Sequence, residues 1–257
     1  MQATIAAVRA GNYAQAYEAL QQTPDVDPTV RAAVGAFLLA LAERFDEAEQ
    51  LLGTTDLPAI RVIVAGERQR LTRWRDPEAN GSLNATTSTP LVPLYVAVGC
   101  AFVRGNNELA DRAVAQLAEQ ATPIAGQITF TSGEVRGFRD LSDSDDGIGQ
   151  MLETYCGEGL LYFPFSSLRR VELLPRDNFM DFLMPRAAIT DDRGTASAYV
   201  PLLYAGSSTS PLDHLRSGGT TMFDYLGAAR RACGQRDFVL DGTTMIGIQH
   251  IAVIDFA

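Results

Sequence analysis

The sequence predicts an α+β protein in which a helical part is followed by a β-rich part. Up to about residue 122 the chain is rich in Ala, Leu, Glu and Arg, and its apolar residues recur at helical spacing. After Thr122 and Pro123, short β-favouring runs alternate with Gly, Asp and Pro. The helical part also repeats a short motif. We therefore expect a helical domain over residues 1–122 and a β-rich domain over residues 126–257, each packed separately.

The repeated motif consists of an aromatic residue, a small Ala and a Leu. It occurs in residues 11–20 and again, 32 positions later, in residues 43–52, with a weaker third copy in residues 105–114. Positions i, i+3 and i+7 share one face of a helix, so the small Ala would let a neighbouring helix approach closely. A period near 32 is close to that of tetratricopeptide-like helical hairpins. Generic amphipathic helices with a chance agreement in spacing are the alternative.

Capping residues indicate where the helices begin and end. Asp27 is a suitable N-cap, and Pro28 suits the first helical position. Gly53 is typical of a helix C-terminus, whereas the polar residues 80–89 predict a loop. We expect helices over residues 28–41, 58–75, 91–103 and 107–121.

The β-rich part contains nine candidate strands separated by turn residues. Short strands at such spacing predict a small barrel or sandwich. The last candidate is apolar, and we expect it to be held within the sheet. The candidates are residues 127–131, 135–140, 151–155, 160–163, 170–174, 187–190, 196–202, 238–240 and 245–256.

Composition excludes several classes of function. A net charge of -10 disfavours general binding to nucleic acid or to a membrane surface. All 21 basic residues are Arg, which excludes a P-loop lysine and Schiff-base chemistry. Three widely spaced cysteines and the absence of a signal-peptide pattern predict a cytoplasmic protein without disulfides.

An acidic run at residues 140–146 resembles a calcium loop only superficially. Counted from Asp143, Gly147 comes one position early, and Thr154 occupies the position of the bidentate Glu. We expect a solvated turn between strands. The two histidines, His214 and His250, lack metal-ligand spacing and are expected at the surface or in packing contacts. No cofactor and no metal are expected.

Two further segments carry weak signals. Ser166 and Ser167 lie outside any G-x-S-x-G elbow, which leaves a hydrolase nucleophile without support. Residues 218–221 (GGTT) could hold an anion on backbone N–H groups. Without a P-loop pattern, a flexible turn is the better interpretation.

A cluster of arginines surrounds the only tryptophan on the helix predicted at residues 58–75. Arg and Trp are common anchors in protein interfaces, so this cluster is the candidate partner-binding site. A solvated helix face with the tryptophan packed beneath it is the alternative. The candidate residues are Arg68, Arg70, Arg73, Trp74 and Arg75.

The β-rich part also carries a series of short motifs in a defined order. They are Phe138-Arg139-Asp140-Leu141, Gly159-Leu160-Leu161-Tyr162-Phe163-Pro164-Phe165, Asp181-Phe182-Leu183-Met184-Pro185-Arg186-Ala187, Val200-Pro201, Tyr204-Ala205-Gly206-Ser207 and Gly234-Gln235-Arg236. From about Pro123 to the C-terminus, their order and spacing resemble the ImpE/TagJ family of type VI secretion accessory proteins. The sequence departs from that family at Met184 and Phe223, where the family has Trp, and at the inserted Arg186.

The resemblance implies a cytoplasmic accessory protein without a catalytic site. Members of the family are associated with the N-terminal helix of the small sheath subunit TssB, and through it with the sheath-disassembling ATPase ClpV. The sequence leaves two alternatives open: an enzyme that uses the acidic residues 140–146, and a self-assembling structural subunit. Strongly perturbed carboxylates in a deep pocket would favour the enzyme. A large, symmetric apolar interface would favour self-assembly.

Overall fold

Helices occupy the first half of the chain and strands occupy most of the second half. The computed structural model describes residues 1–53, 55–78 and 84–257. The loop predicted at residues 80–89 lies partly outside the described residues. The helices are α1 (Gln2–Arg9), α2 (Tyr13–Gln21), α3 (Pro28–Leu41), α4 (Phe45–Leu52), α5 (Pro58–Arg75), α6 (Val92–Arg104), α7 (Asn107–Gln120) and the short α8 (Asp213–Arg216).

The helices of the first half pack in consecutive pairs, α1 with α2, α3 with α4, and α6 with α7. The Ala of each motif copy is fully buried, at positions 16, 48 and 110. A small side chain at these positions allows close helix contact, as the repeat predicts. This arrangement is consistent with helical hairpins, whereas the likeness to a tetratricopeptide array stays a prediction.

The cap of α3 illustrates how local sequence sets a boundary. The Asp27 carboxylate accepts hydrogen bonds from the backbone N–H groups of Thr29 (2.9 Å) and Val30 (3.1 Å). These groups have no partner within the helix, so the cap supplies one. The predicted helix over residues 28–41 is therefore confirmed, as is the helix over residues 58–75.

The strands form one large sheet and two small ones. They are β1 (Gly126–Phe130), β2 (Val135–Phe138), β3 (Leu141–Asp143), β4 (Met151–Cys156), β5 (Gly159–Pro164), β6 (Leu168–Leu173), β7 (Arg186–Asp191), β8 (Gly194–Tyr199), β9 (Thr221–Leu226), β10 (Ala229–Gly234), β11 (Asp237–Leu240), β12 (Thr244–Gly247) and β13 (Ile251–Phe256). The large sheet has the order β2-β1-β13-β6-β7-β8-β4-β5, and its neighbouring strands are antiparallel. The small sheets are β10-β9 and β12-β11-β3.

The predicted barrel is wrong. Across the described ranges, no pairing joins the outer strands β2 and β5, so the large sheet stays open. Instead, α5 packs on β4 and β5, and residue Ala85 forms a parallel bridge with Tyr162 of β5. Helix α5 thus covers the surface of β4 and β5, and the segment at Ala85 covers the edge of the sheet at β5. Closure into a barrel would have protected this edge in another way.

The core is not divided at the domain boundary predicted between residues 122 and 126. The change from helix to strand occurs between Gln120 and Gly126, but one continuous core includes residues from Ala7 to Ile254. The contact between α5 and β4 is close because Gly66 faces the Tyr155 ring. A Cβ at Gly66 would lie 2.3 Å from Tyr155 Cδ1. The boundary in periodicity therefore does not separate two cores.

Several strands differ from their predicted extents. The run at residues 245–256 is two strands, β12 and β13, divided by a 3-10 turn at Ile248–His250 and placed in different sheets. The second of them lies between β1 and β6, which confirms that the last strand is held within the sheet. The hairpin of β9 and β10 escaped prediction, because β9 alternates exposed and half-buried residues and so lacks a strong apolar pattern.

Candidate functional site

A group of charged side chains is buried where α5 meets the sheets. On α5, Glu67 and Arg70 are 4% and 3% exposed and lie one helical turn apart. The Arg70 guanidinium donates to both Glu67 oxygens, at 2.7 and 2.8 Å, and to the backbone oxygen of Leu203. Its Nη1 also reaches Glu153 of β4 at 3.4 Å. Arg70 thereby connects the helical part to two segments of the β-rich part.

A second buried arginine, Arg236, contacts three segments of the β-rich part. Its guanidinium is fully buried and donates to Glu153, to Asp143 at 3.2 Å and to the Pro201 backbone oxygen at 3.1 Å. Glu153 therefore bridges the two arginines. We call Glu67, Arg70, Asp143, Glu153 and Arg236 the buried ion network.

Three tyrosines complete the hydrogen bonding of the network. The hydroxyl of Tyr155 donates to Glu67, that of Tyr162 donates to Glu153 at 2.6 Å, and that of Tyr204 donates to Asp143 at 2.8 Å. All three rings are fully or almost fully buried. Charges removed from water are tolerated only when such partners satisfy them.

The carboxylates of the network respond differently to burial. Burial opposes ionisation of Glu153, but Arg236 and Arg70 outweigh it and lower the pKa of that carboxyl to about 2. Burial raises the pKa of the Asp143 carboxyl to about 7, against the opposing attraction of Arg236. Glu153 is thus a fixed negative charge between two cations, whereas Asp143 gains and loses its proton near neutral pH.

The expectation of a solvated turn at residues 140–146 is wrong. Asp143 and Asp145 are 1% and 9% exposed. Asp145 accepts hydrogen bonds from the N–H groups of Gly147 (2.8 Å) and Ala232 (3.0 Å), and Asp146 accepts from the N–H of Arg230 at 2.7 Å. These hydrogen bonds fix the acidic loop against β10, because a buried backbone N–H group needs an acceptor.

The arginine cluster on α5 divides between the surface and the interior. Arg68 and Arg75 are at the surface, where Arg68 pairs with Asp46 and Glu49, and Arg75 pairs with Glu43. Arg70 belongs to the buried ion network, so its assignment to an accessible binding face is wrong. An i, i+3 spacing places Glu67 and Arg70 on the buried face of α5, which a count of arginines cannot reveal.

The remaining two members of the cluster are half-buried. Arg73 donates to the Tyr162 hydroxyl and to the backbone oxygen of Gly147 at 3.2 Å. Trp74 lies under the guanidinium of Arg231, which is 4.4 Å from the ring centroid and donates to the Trp74 backbone oxygen at 2.9 Å. These contacts join α5 to β10, and the partner-binding role of the cluster stays a prediction for the exposed Arg68 and Arg75.

A cavity of about 50 Å³ lies beside the network, between α5, α6, the loop at residues 145–148 and β10. Typical small-molecule pockets are several times larger, about 300–1,000 Å³. The described part of the chain contains no cluster of His, Cys, Asp or Glu with metal-binding geometry. Both histidines are exposed and stand apart from the network.

Sequence reasoning missed most of the network. Glu153 interrupts an apolar strand, and Arg236 closes a motif that carries the family resemblance; each is a polar residue among buried neighbours. A charged residue inside an apolar run is the available signal. Its partners are up to 93 positions away, between Asp143 and Arg236, so only the fold brings them together.

Among the described helices, none has both the length and the apolar character needed to cross a bilayer. A search of curated proteins found no significant match. The crystal structure of protein VPA1032 from Vibrio parahaemolyticus is similar in fold, with a TM-score of 0.80 at 16% sequence identity, over 100% of this chain and 98% of that one. At this identity the likeness concerns the fold alone.

Residues 136–254 match the family model described as ImpE protein. This segment contains Asp143, Glu153 and Arg236 of the buried ion network, together with all six motifs that resemble the family. This part of the chain, residues 136–254, is therefore assigned to the ImpE family, which is associated with type VI secretion.

Proposed function

We propose that this protein is a non-catalytic accessory protein of a bacterial type VI secretion system. In this role it binds the N-terminal helix of the small sheath subunit TssB in the cytoplasm, and so connects the sheath to the disassembling ATPase ClpV. The observation that carries the proposal is the match of residues 136–254 to the ImpE family. The paired helices of the first half support it, because grooves between such helices accept a partner helix.

The buried acidic loop does not support the alternative of an enzyme. Perturbed carboxylates beside a cavity can indicate catalysis. Here, however, Glu153 is engaged by Arg70, Arg236 and Tyr162. The carboxylates of Asp145 and Asp146 are engaged by backbone N–H groups. A cavity of about 50 Å³ leaves little room for a substrate beside them.

Self-assembly also lacks a specific observation in its favour. The exposed large apolar side chains of the described residues come from elements far apart in the chain, among them Val30, Val103, Val135, Phe182 and Tyr225. Exposed apolar side chains are normal for a monomer surface unless they form a large contiguous patch.

The exposed end of α5 is the candidate contact surface for the partner helix. Arg68 is paired with carboxylates of α4, and Arg75 is paired with Glu43, two residues before α4, so a partner acid would exchange with an existing ion pair. Such surface pairs contribute little to stability, so breaking one of them costs little free energy. Ordering a short helix lowers the affinity, so we expect a dissociation constant on the order of micromolar.

Calorimetry with a synthetic TssB N-terminal helix from the same gene cluster tests this proposal. Arg68→Glu/Arg75→Glu should weaken binding by about tenfold or more, because charged groups at a contact contribute disproportionately. Arg139→Glu, an exposed site in the β-rich part, is the matched control and should bind like wild type. Failure of wild type to bind the helix would remove the TssB assignment. Unchanged binding by the double variant would refute the contact surface at Arg68 and Arg75 but not the TssB assignment.

A further inference from the structure

The cavity beside the buried ion network has an unusual lining for a space of its size. Three guanidinium groups, of Arg70, Arg73 and Arg231, line it together with two carboxylates, of Asp145 and Glu153. We propose that this cavity is a binding site for a small monovalent carboxylate of the size of formate or acetate. This site is independent of the proposed partner helix.

The two lining carboxylates have hydrogen-bond partners within the protein. Glu153 accepts from Arg70, Arg236 and Tyr162, and Asp145 accepts from two backbone N–H groups. Arg70 is paired with Glu67 and Glu153, so its charge is already compensated within the buried ion network. The cations available to an anion are those of Arg73 and Arg231, and in a low-dielectric site an ionic contact is stronger than in water.

Two of the guanidinium groups lack a carboxylate partner. Over the described residues, Arg73 donates to the Tyr162 hydroxyl and the Gly147 backbone oxygen, and Arg231 donates to the Trp74 backbone oxygen. Neither arginine has a carboxylate oxygen within 4.0 Å among the described residues, although Asp145 attracts Arg231 and Glu153 attracts Arg73 over longer distances. Guanidinium groups bind carboxylates more strongly than neutral acceptors, so both have unused capacity for an anion.

Arg70 supplies an independent observation. Its Nε is buried and has no hydrogen-bond partner among the described residues, although its other two nitrogens are engaged. A buried donor without an acceptor is destabilising. Because Arg70 lines the cavity, a carboxylate oxygen bound there would supply the acceptor.

The volume and the apolar part of the lining define the ligand class. About 50 Å³ accommodates a ligand of a few heavy atoms and excludes sugar acids. Trp74, Phe102 and Val98 contribute an apolar wall that suits the hydrogen or methyl group of formate or acetate. A ligand with so few atoms has a limited total binding energy, so we expect a dissociation constant on the order of millimolar.

The only tryptophan of the chain reports on this site directly, because Trp74 lines the cavity. Sodium acetate is titrated into the full-length protein at constant ionic strength, with gluconate as the balancing anion. We expect a saturable change in Trp74 fluorescence with acetate and none with gluconate alone. A linear response, or the same response to both anions, would overturn the proposal and leave a cavity that holds only water.

Variants locate the site. Arg231→Met, which keeps the apolar stem over Trp74, should weaken acetate binding about tenfold or more, because one charge-assisted hydrogen bond is lost. Arg139→Met removes one positive charge at the exposed surface and should leave the constant unchanged. Circular dichroism verifies folding, and Arg231→Gln replaces Arg231→Met if that variant is unfolded. Equal acetate affinity in a folded Arg231 variant and in wild type would refute the site.

Discussion

The residues of the buried ion network determine how the two parts of the chain are joined. Arg236 contacts Glu153, Asp143 and the backbone at Pro201, three places that are distant in sequence. Pairing two ions in a protein interior seldom adds net stability over apolar packing, but removing one partner strands the other. Removal of any one member would therefore leave another buried charge without its partner.

Replacement of Arg236 is the residue-scale test of this dependence. Arg236→Met should lower the free energy of unfolding by about 3–5 kcal/mol, since Glu153 then loses its closest cation in a buried position. Urea denaturation measures the loss. Arg139→Met, at an exposed position, should change stability by less than about 0.5 kcal/mol. A similar small loss for both variants would show that the network is not coupled as described.

Asp143 gives the network a dependence on pH. Its folded pKa of about 7 lies above the ordinary value of 3.8 for this side chain, so between these values the folded state holds a proton that the unfolded state has released. Stability contributed by this group is therefore present at low pH and is lost as pH rises towards about 7. The stability of Asp143→Asn relative to wild type should therefore increase as pH rises from about 4 to about 7, the window between the two pKa values.

Urea unfolding of both proteins across that range measures the difference. A stability difference that stays constant with pH would mean that Asp143 keeps one ionisation state throughout.

At the scale of elements, α5 is the helix on which the architecture depends. One face carries Glu67 and Arg70 into the interior, and Gly66 brings the helix against the Tyr155 ring of β4. The end of the helix holds Trp74 against Arg231 of β10. Capping and periodicity predicted the limits of α5 correctly. They could not predict the strands that pack against it, because those contacts join residues more than 80 positions apart.

Gly66→Ala tests the close approach of α5 to the sheet. Ala favours a helix over Gly by about 1 kcal/mol, so an open site would gain stability. Here the added Cβ would lie 2.3 Å from the Tyr155 ring, and overpacking of this kind costs about 1–3 kcal/mol or more. We predict a net loss in thermal and urea denaturation. Gly137→Ala, where the nearest atom is 3.8 Å away, is the control and should be close to neutral. A stabilised Gly66→Ala would contradict the contact.

At the scale of the whole molecule, one core extends through the helical and β-rich parts. We predict a single unfolding transition in which Trp74 fluorescence and far-ultraviolet circular dichroism coincide, because neither part buries its apolar surface alone. Two separate transitions would show that the parts are independent domains.

In limited proteolysis, the first cut should fall at residues 80–89 or 121–126. A first cut within residues 160–174 would contradict this layout, since β5 and β6 lie there.

The sequence by itself determined the α+β class, the limits of α3 and α5, and the resemblance of the segment after Pro123 to the ImpE family. These are local properties: caps, periodicity and short ordered motifs act between near neighbours. The sequence did not predict the sheet topology, the continuous core or the buried face of α5. A strand pattern does not specify whether a sheet closes, and a charged side chain does not specify its partner.

The tertiary structure alone decided the buried ion network and the cavity. Arg70 lies 83 positions from Glu153, and Asp143 lies 93 positions from Arg236. In isolation, each of these residues suits a solvated surface, because an unpaired charge is costly to bury. Only the packing of α5 on β4 and of β11 beside β3 places opposite charges together, and that proximity lets the interior hold them.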